Sequence, residues 1–375
     1  MQKVYREDWI INRSIQKAAH TWHQKGLLTT EQWLKVQQQF PDLFYNPSLG
    51  GKIGLFLFTL VATLSVLSLI SLLFGFGGSP VLMLSCILLI GSLEIAIKRK
   101  HLFHSGIDTA LLFTSIAYLL ITITSLLRSA NEGEMAIYLF IVCTLATFRY
   151  ADATIAVLGL ASLIFAALYF AHQYHVENIF LPFLGMLLSA GVYTILVCSK
   201  YSVYYENCKQ YLLVCCYLIF YLSGNYLIVQ KLNFMLAEGK QISPNPLAVD
   251  LFFYFFTIAV PLGYIYDALT HKKRALLAVG ILTLAFSSYT FHEKFDLLPY
   301  EVALTVSGMS LIISSIAFIR YLKKPKYGFS DHVEQDFHIP IESIILAQQA
   351  KFPSSGTDMS YGGGDFGGGG AGDNY

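Results

Sequence analysis

The segment 53–74, IGLFLFTLVATLSVLSLISLLF, carries no charged residue. A helix that crosses the hydrocarbon core of a bilayer needs about 20 consecutive apolar residues, so this run is long enough to span a membrane. The whole chain agrees with it, because 55% of the residues are hydrophobic and 13% are charged. Soluble domains carry about 25% charged residues. The sequence therefore predicts an integral membrane protein rather than soluble domains.

Similar apolar runs continue along the chain, separated by clusters of charge, Gly, Pro or Asn. They predict ten spans, at residues 53–74, 80–97, 107–127, 135–148, 153–171, 179–198, 211–229, 248–269, 275–291 and 300–321. The fourth is short for a span, although Arg149 could extend it by snorkelling. The predicted fold class is all-α, a polytopic bundle of about ten transmembrane helices.

Lys and Arg residues are concentrated in alternate loops, as the positive-inside rule requires of cytoplasmic flanks. With the amino terminus inside, the cytoplasmic flanks hold Lys52, Lys98, Arg99, Lys100, Arg149, Lys200, Lys209, Lys272, Lys273, Arg274, Arg320, Lys323, Lys324 and Lys326. The opposite loops hold Arg128, Lys231, Lys240 and Lys294. We therefore expect a multi-pass protein of the bacterial cytoplasmic (inner) membrane with both termini in the cytoplasm. The lipid bilayer is its first expected partner.

Four segments are predicted along the chain. Residues 1–51 form a cytoplasmic helical hairpin and linker, and residues 52–322 form the ten-helix transmembrane domain. Residues 323–352 form a cytoplasmic acidic segment with a short amphipathic helix. Residues 353–375 form a Gly-rich tail, which we expect to be disordered because glycine offers little side chain to offset the entropy of ordering.

The amino-terminal hairpin is read from two short apolar stripes. Ile11, Ile15, Ala18 and Trp22 share one helical face, and Gly26 can end that helix in a left-handed conformation. Thr29 precedes Gln32 by three residues, the spacing of a capping box, and the second helix should stop at Pro41. Because so short a hairpin cannot build a core alone, we expect it to dock on the membrane surface, a cytoplasmic loop or a partner.

A family resemblance rests on the same region. The motif KGLLTTEQW (25–33), the Asn-Pro turn at Asn46 and Pro47, and the entry LGGKIG (49–54) follow one another before the polytopic region. This order resembles the predicted bacterial membrane proteins grouped as domain of unknown function 2157. The resemblance implies a cytoplasmic hairpin before a membrane region and does not imply an activity.

The two predicted cytoplasmic ends carry opposite charge, since the segment up to Lys52 is basic and the chain from Tyr327 onward is acidic. The stretch PIESIILAQQAKF (340–352) has an apolar stripe that could pack on the hairpin, or it could be an interfacial helix or a frayed linker. Protein partners are therefore expected through the hairpin and the tail.

Ionisable residues deep in a membrane are the usual sign of function, but the acidic residues here fall near the ends of spans. Glu94 stands four residues before Lys98, which predicts a helix ion pair. Asn225 is the most polar intramembrane residue. Its two possible roles are interhelical hydrogen bonding and contact with a substrate. Pro261 and Pro182 lie in spans and could open kinks.

Sequence motifs for catalysis, cofactors and metals give no predicted site. The chain has no P-loop, GxSxG, HExxH or dinucleotide fingerprint, and no basic cluster for nucleic acid. The six cysteines form no CxxC pair and are read as small apolar residues. The pairs His20 and His23, His101 and His104, and His172 and His175 each lack a clear third ligand, with Glu177 as a candidate for the last.

Three classes of function remain open. The leading interpretation is a non-catalytic scaffold or regulatory membrane component that presents the hairpin and tail to protein partners. The alternative is a carrier of an uncharged or lipid-like small molecule, which predicts a cavity near Asn225 or Pro261. A membrane enzyme acting on lipid or acyl groups fits least, for want of paired catalytic residues.

Overall fold

A computed structural model describes residues 3–74, 78–127, 131–236 and 247–295, with isolated positions at 305, 308–309 and 312–313. The described helices are α1 (Glu7–Gln24), α2 (Thr30–Gln39), α3 (Leu49–Phe74), α4 (Ser79–Lys100), α5 (Ile107–Leu127), α6 (Glu132–Tyr150), α7 (Ala153–Gln173), α8 (Leu181–Cys198), α9 (Glu206–Gly224), α10 (Tyr226–Leu236), α11 (Leu247–Thr270) and α12 (Arg274–Phe295). Short 3-10 helices cover Asn178–Phe180 and Val203–Tyr205. The described part contains one isolated β-bridge and no strand.

Eight described helices are long and apolar enough to cross a membrane, and the bent pair formed by α9 and α10 adds a ninth if the two helices are one broken span. They match the first nine predicted spans, so the all-α, multi-pass membrane architecture is confirmed. The predicted tenth span (300–321), the acidic segment (323–352) with its amphipathic stretch, and the Gly-rich tail (353–375) lie outside the described residues, apart from the isolated positions.

The fourth span is longer than the apolar run that predicts it. Helix α6 begins at Glu132 because Asn131 and Glu134 form a reciprocal capping box, with Glu134 N donating to Asn131 Oδ1 at 2.9 Å. Glu132 and Glu134 therefore belong to the first turn, where negative charge is favourable. The helix has 19 residues, enough for a membrane crossing.

Contacts along two pairs of helices show that each pair is antiparallel. Gly159 of α7 approaches Cys143 of α6, and the start of α6 approaches the end of α7 at Tyr169. Further along, Tyr264 Oη of α11 donates to the Tyr217 carbonyl of α9 at 3.0 Å, while Tyr226 N donates to Thr257 Oγ1 at 3.0 Å. Helix α11 is thus antiparallel to α9, and its turn to α12 lies at the end of the bundle where α9 begins.

The hairpin helices begin and end where the sequence predicts. Gly26 has a positive φ of 73° just after α1, which suits glycine. Thr29 Oγ1 accepts from Gln32 N at 3.3 Å, and Thr29 N donates to Gln32 Oε1 at 3.0 Å, so the predicted capping box is present. The second helix ends before Pro41. These features depend on residues close together in the chain, which is why the sequence reveals them.

Candidate functional site

Helix α1 and the residues just before it lie on three loops at one end of the bundle. These loops are residues 101–106 between α4 and α5, residues 151–152 between α6 and α7, and residues 199–205 between α8 and α9. Val4 N donates to the Arg149 carbonyl at 3.3 Å, and Tyr45 N, just after α2, donates to the His101 carbonyl at 3.2 Å. Tyr204 Oη also donates to the Arg149 carbonyl, at 2.5 Å. The expected docking of the hairpin on loops is therefore observed within this chain, and we call this surface the loop platform.

Aromatic side chains fill the interface between the hairpin and the loop platform. The Tyr5 and Phe103 rings meet edge to face with centroids 4.9 Å apart, and Phe44 stacks on Phe103 at 4.9 Å. Trp9 meets the His101 ring at 4.6 Å. Such pairs each contribute about 0.5–1.5 kcal/mol beyond the area they bury. The apolar contact therefore holds α1 firmly on residues 101–106.

Asp108 organises the loop beneath this aromatic cluster. Its carboxylate is 4% exposed and accepts from His104 N at 2.8 Å, from Ser105 N at 2.9 Å and from Ser105 Oγ at 2.9 Å. Tyr5 Oη donates to the same carboxylate at 3.5 Å. Burial and the neighbouring Asp108 charge raise the pKa of Tyr5 well above its ordinary value, so its hydroxyl stays a neutral donor. A residue just before α1 thus contacts the start of α5 directly.

Asp152 organises the loop between α6 and α7 in the same way. Its Oδ1 accepts from Thr154 N at 2.9 Å and from Ile155 N at 3.2 Å, which caps α7. Its Oδ2 lies 3.5 Å from His104 Nδ1. Burial raises the pKa of Asp152, but hydrogen bonds from His104 and Thr154 outweigh it and leave that pKa below its ordinary value. His104 thereby joins the loop before α5 to the loop before α7.

Glu94 has a stronger partner than the one that the sequence indicates. The predicted contact with Lys98 is present at 3.7 Å, but the Lys98 side chain is 70% exposed. Glu94 Oε1 instead accepts from Arg149 Nε at 2.8 Å and from Tyr150 Oη at 2.9 Å. This contact joins α4 to the end of α6. The sequence offers no local signal for it, because the partners lie 55 and 56 residues away.

The space inside this polar cluster is too small for a substrate. A cavity of about 10 Å³ lies between Tyr5, His104, Asp108 and Asp152. A site needs roughly 10–15 Å³ to hold a single water molecule, so this cavity fits one water at most. The carboxylates already accept backbone and side-chain hydrogen bonds. The arrangement supports a structural role for the acidic pair.

Asn225 lies at a break between α9 and α10, which bend by 68°. The predicted span 211–229 is therefore not one straight helix. Asn225 is fully buried, and its Oδ1 accepts from Leu227 N at 3.1 Å, so it caps α10. Its Nδ2 donates to Tyr221 Oη at 3.0 Å and to Thr290 Oγ1 of α12 at 3.1 Å. Both polar atoms of its side chain form hydrogen bonds within the protein, as the interpretation of Asn225 as an interhelical hydrogen-bonding residue expects.

The two prolines differ in their effect. Pro261 lies inside α11 and is buried. It comes one turn after Thr257, whose hydroxyl accepts a hydrogen bond from Tyr226 N. Pro182 stands in the first turn of α8, directly after the 3-10 helix Asn178–Phe180. Its missing N–H costs nothing there, because first-turn N–H groups have no intrahelical acceptor. The expectation that Pro182 opens a kink within a span is therefore not met.

The histidine pairs do not build a metal centre in the part of the chain that is described, where no group of three His, Cys, Asp or Glu is suitably placed. His101 and His104 have positive φ values of 50° and 51°, so they lie in a loop rather than on one helical face. His23 stacks on Trp33 with centroids 5.1 Å apart. The six cysteines are free thiols.

A second, larger cavity of about 400 Å³ lies between α6, α7, α8 and α9, near the loop platform. Its lining is apolar over most of its depth, with Leu160, Leu163 and Leu196 among the contributors. Lys209, Tyr201 and Tyr205 lie at its polar end. Ligand sites commonly measure about 300–1,000 Å³, so this cavity is large enough for one. Sequence reasoning missed it, because it is formed by four helices without a shared motif.

Comparisons with protein-family models, with curated proteins and with solved structures found no match to this chain. The resemblance to domain of unknown function 2157 therefore stays a prediction.

Proposed function

We propose that the protein is a non-catalytic scaffold or regulatory component of the bacterial cytoplasmic membrane. In this proposal, both termini lie in the cytoplasm, where the amino-terminal hairpin is offered to protein partners. The hairpin carries a fixed half and an exposed half, and this difference is the observation that supports the proposal most directly.

The fixed half is α1, which buries Ile10, Ile15, Ala18 and Ala19. The exposed half is α2, none of whose residues is buried. Leu27 before α2 and Leu34 within it are 69% and 46% exposed. A hairpin that served only to seal the bundle would turn these leucines inward. Their exposure beside a firmly docked α1 suits a surface that another protein covers.

The placement of charge supports the cytoplasmic assignment. Lys98, Arg99 and Lys100 end α4 on the hairpin's side, and Lys272, Lys273 and Arg274 lie at the turn between α11 and α12 on the same side. Helix directions read from side-chain contacts agree with the alternation that the positive-inside rule assumes. The acidic tail is the second proposed partner-binding element, and it lies outside the described residues.

Site-specific photo-crosslinking in living cells tests the partner-binding role. A benzoylphenylalanine at Leu34 should give a discrete covalent adduct with one protein, because Leu34 is an exposed apolar side chain of α2. The matched control places the same group at Gln39, an exposed position of α2 about 140° away around the helix. Equal adducts from both positions, or none from Leu34, would contradict the proposal.

A carrier of a lipid-like molecule is the second candidate, and the cavity of about 400 Å³ is the observation that favours it. The cavity is not at the place that a carrier predicts, since Asn225 and Pro261 are buried in protein contacts. Transport of a fluorescent phospholipid by the reconstituted full chain would favour this candidate over the scaffold.

A further inference from the structure

The larger cavity extends from the loop platform into the bilayer region. Ala156 and Leu163 of α7 both line it, and seven helical residues correspond to about 10 Å of depth. Ile195 of α8 lines it as well and is 60% exposed, so the cavity opens sideways toward lipid. An apolar cavity that opens to a bilayer offers no hydrogen bonds to water, and it suits a hydrocarbon chain.

Close approach of α6 and α7 closes one side of the cavity. A Cβ placed on Gly159 of α7 would lie 3.1 Å from the Cβ of Cys143, so the two helices touch where Gly159 lies. Thr144 and Thr147 of α6 also line the cavity, and Thr147 Oγ1 donates to the Cys143 carbonyl at 2.8 Å. Because the Thr147 hydroxyl donates its proton within its own helix, it offers no free donor to a ligand.

The mouth of the cavity carries a cation and two tyrosines. Lys209 Nζ lies 5.6 Å from the centroid of the Tyr201 ring, and Tyr205 Oη donates to the Phe148 carbonyl at 2.7 Å. Glu206 follows Tyr205 in the chain, and its carboxylate accepts a hydrogen bond from Gln210 at 3.2 Å. Lysine and tyrosine at the boundary of a bilayer lie at the level of lipid headgroups.

We propose that this cavity binds one anionic glycerophospholipid from the leaflet on the hairpin's side of the membrane. One acyl chain fills the apolar space between α6, α7, α8 and α9, and the phosphate lies against Lys209. The charge at the mouth selects the anionic headgroup, because a lysine near a membrane surface attracts anionic lipid. This inference is independent of the scaffold proposal.

The bound lipid would lie next to the hairpin. Lys3 Nζ is 5.2 Å from the Tyr204 ring centroid and 5.6 Å from that of Tyr205, which also lines the cavity. Ser202 Oγ donates to Glu7 Oε1 at 3.0 Å, so the same loop contacts both α1 and the cavity mouth. The lipid thereby supports the loop on which the hairpin docks.

Lipid retention by the purified full chain tests the chain-binding half of the proposal. The protein is reconstituted in nanodiscs of phosphatidylglycerol and phosphatidylethanolamine, returned to detergent, and analysed by native mass spectrometry. Wild type should retain one phospholipid per chain, and Ile195→Trp should lose it because the indole fills the cavity. The matched control is Val197→Trp, since Val197 is also exposed, at 52%, but does not line the cavity.

Substitution of the cation tests the headgroup half. Lys209→Gln should lower the preference for phosphatidylglycerol over phosphatidylethanolamine by about fivefold, or about 1 kcal/mol. Lys100→Gln, an exposed lysine away from the cavity, should leave that preference unchanged. Equal retention by the two tryptophan variants, no headgroup preference in wild type, or retention of only an uncharged lipid would each overturn the proposal.

Discussion

At the scale of single residues, the polar side chains at the hairpin's end of the bundle act between elements rather than within one. The sequence assigns Glu94 to Lys98, its neighbour on the same helix, and that contact exists. The closer contacts run to Arg149 and Tyr150, which the fold alone brings near. Asp108 likewise could be placed at the start of a span from the sequence, but its contact with Tyr5 could not.

Asp108→Asn should weaken the hairpin's attachment by about 1–3 kcal/mol. The carboxylate has two acceptor oxygens, which accept from His104 N and Ser105 N. An amide has only one acceptor oxygen, so one of these donors would lose its partner. The protein's three tryptophans, Trp9, Trp22 and Trp33, all lie in the hairpin, so tryptophan fluorescence reports on this region alone. The denaturant midpoint of the fluorescence change should fall.

The control for this substitution is Asp8→Asn. Asp8 lies 3.6 Å from Arg6, but both side chains are largely exposed, at 75% and 69%. An exposed ion pair contributes about 0–1 kcal/mol, so the midpoint should barely move. If both variants shifted the midpoint equally, Asp108 would have no special part in docking.

At the scale of elements, the break between α9 and α10 is the clearest departure from the predicted spans. The run 211–229 is apolar apart from Ser223, Gly224 and Asn225, so its length and composition predict one span. The break is stabilised by Thr257 and Thr290, which lie 31 and 65 positions further along the chain than the residues that they contact. Span length depends on local composition and is predictable, whereas a break that distant partners stabilise is not.

Thr257→Val should destabilise this break. The substitution keeps the volume but removes the acceptor of Tyr226 N, leaving a buried donor without its 3.0 Å partner. That loss should cost about 1–3 kcal/mol in the free energy of unfolding, measured by titration from mild detergent into SDS.

Thr283→Val is the matched control for the helix break. Thr283 is also buried, but its hydroxyl only donates to carbonyls of its own helix, at 2.8 Å and 3.1 Å. Its loss should change the free energy of unfolding by less than about 1 kcal/mol. A larger effect at Thr283 than at Thr257 would show that the hydrogen bond to Tyr226 does not hold the break.

Most local features of the hairpin, in contrast, can be predicted from the sequence. Its capping box, its glycine turn and its stop before Pro41 are visible in the sequence because each involves residues a few positions apart. The surface beneath α1 is not visible, since it comes from three loops that only the folded bundle brings together. The larger cavity was missed for the same reason, because α6, α7, α8 and α9 each supply only part of its wall.

At the scale of the whole molecule, one end of the bundle carries the hairpin, the loop platform and the mouth of the larger cavity. The proposed function requires that end to face the cytoplasm, where protein partners would bind it. Loops at the opposite end, such as the one between α7 and α8, should then face away from the cytoplasm.

Cysteine labelling of intact cells tests this orientation most directly. With the six native cysteines replaced, single variants Lys25→Cys in the exposed hairpin turn and Glu177→Cys in the exposed opposite loop are treated with a membrane-impermeant maleimide. We predict that Glu177→Cys is labelled in intact cells and that Lys25→Cys is labelled only after permeabilisation. Labelling of Lys25→Cys in intact cells would contradict the assignment of the hairpin to the cytoplasm.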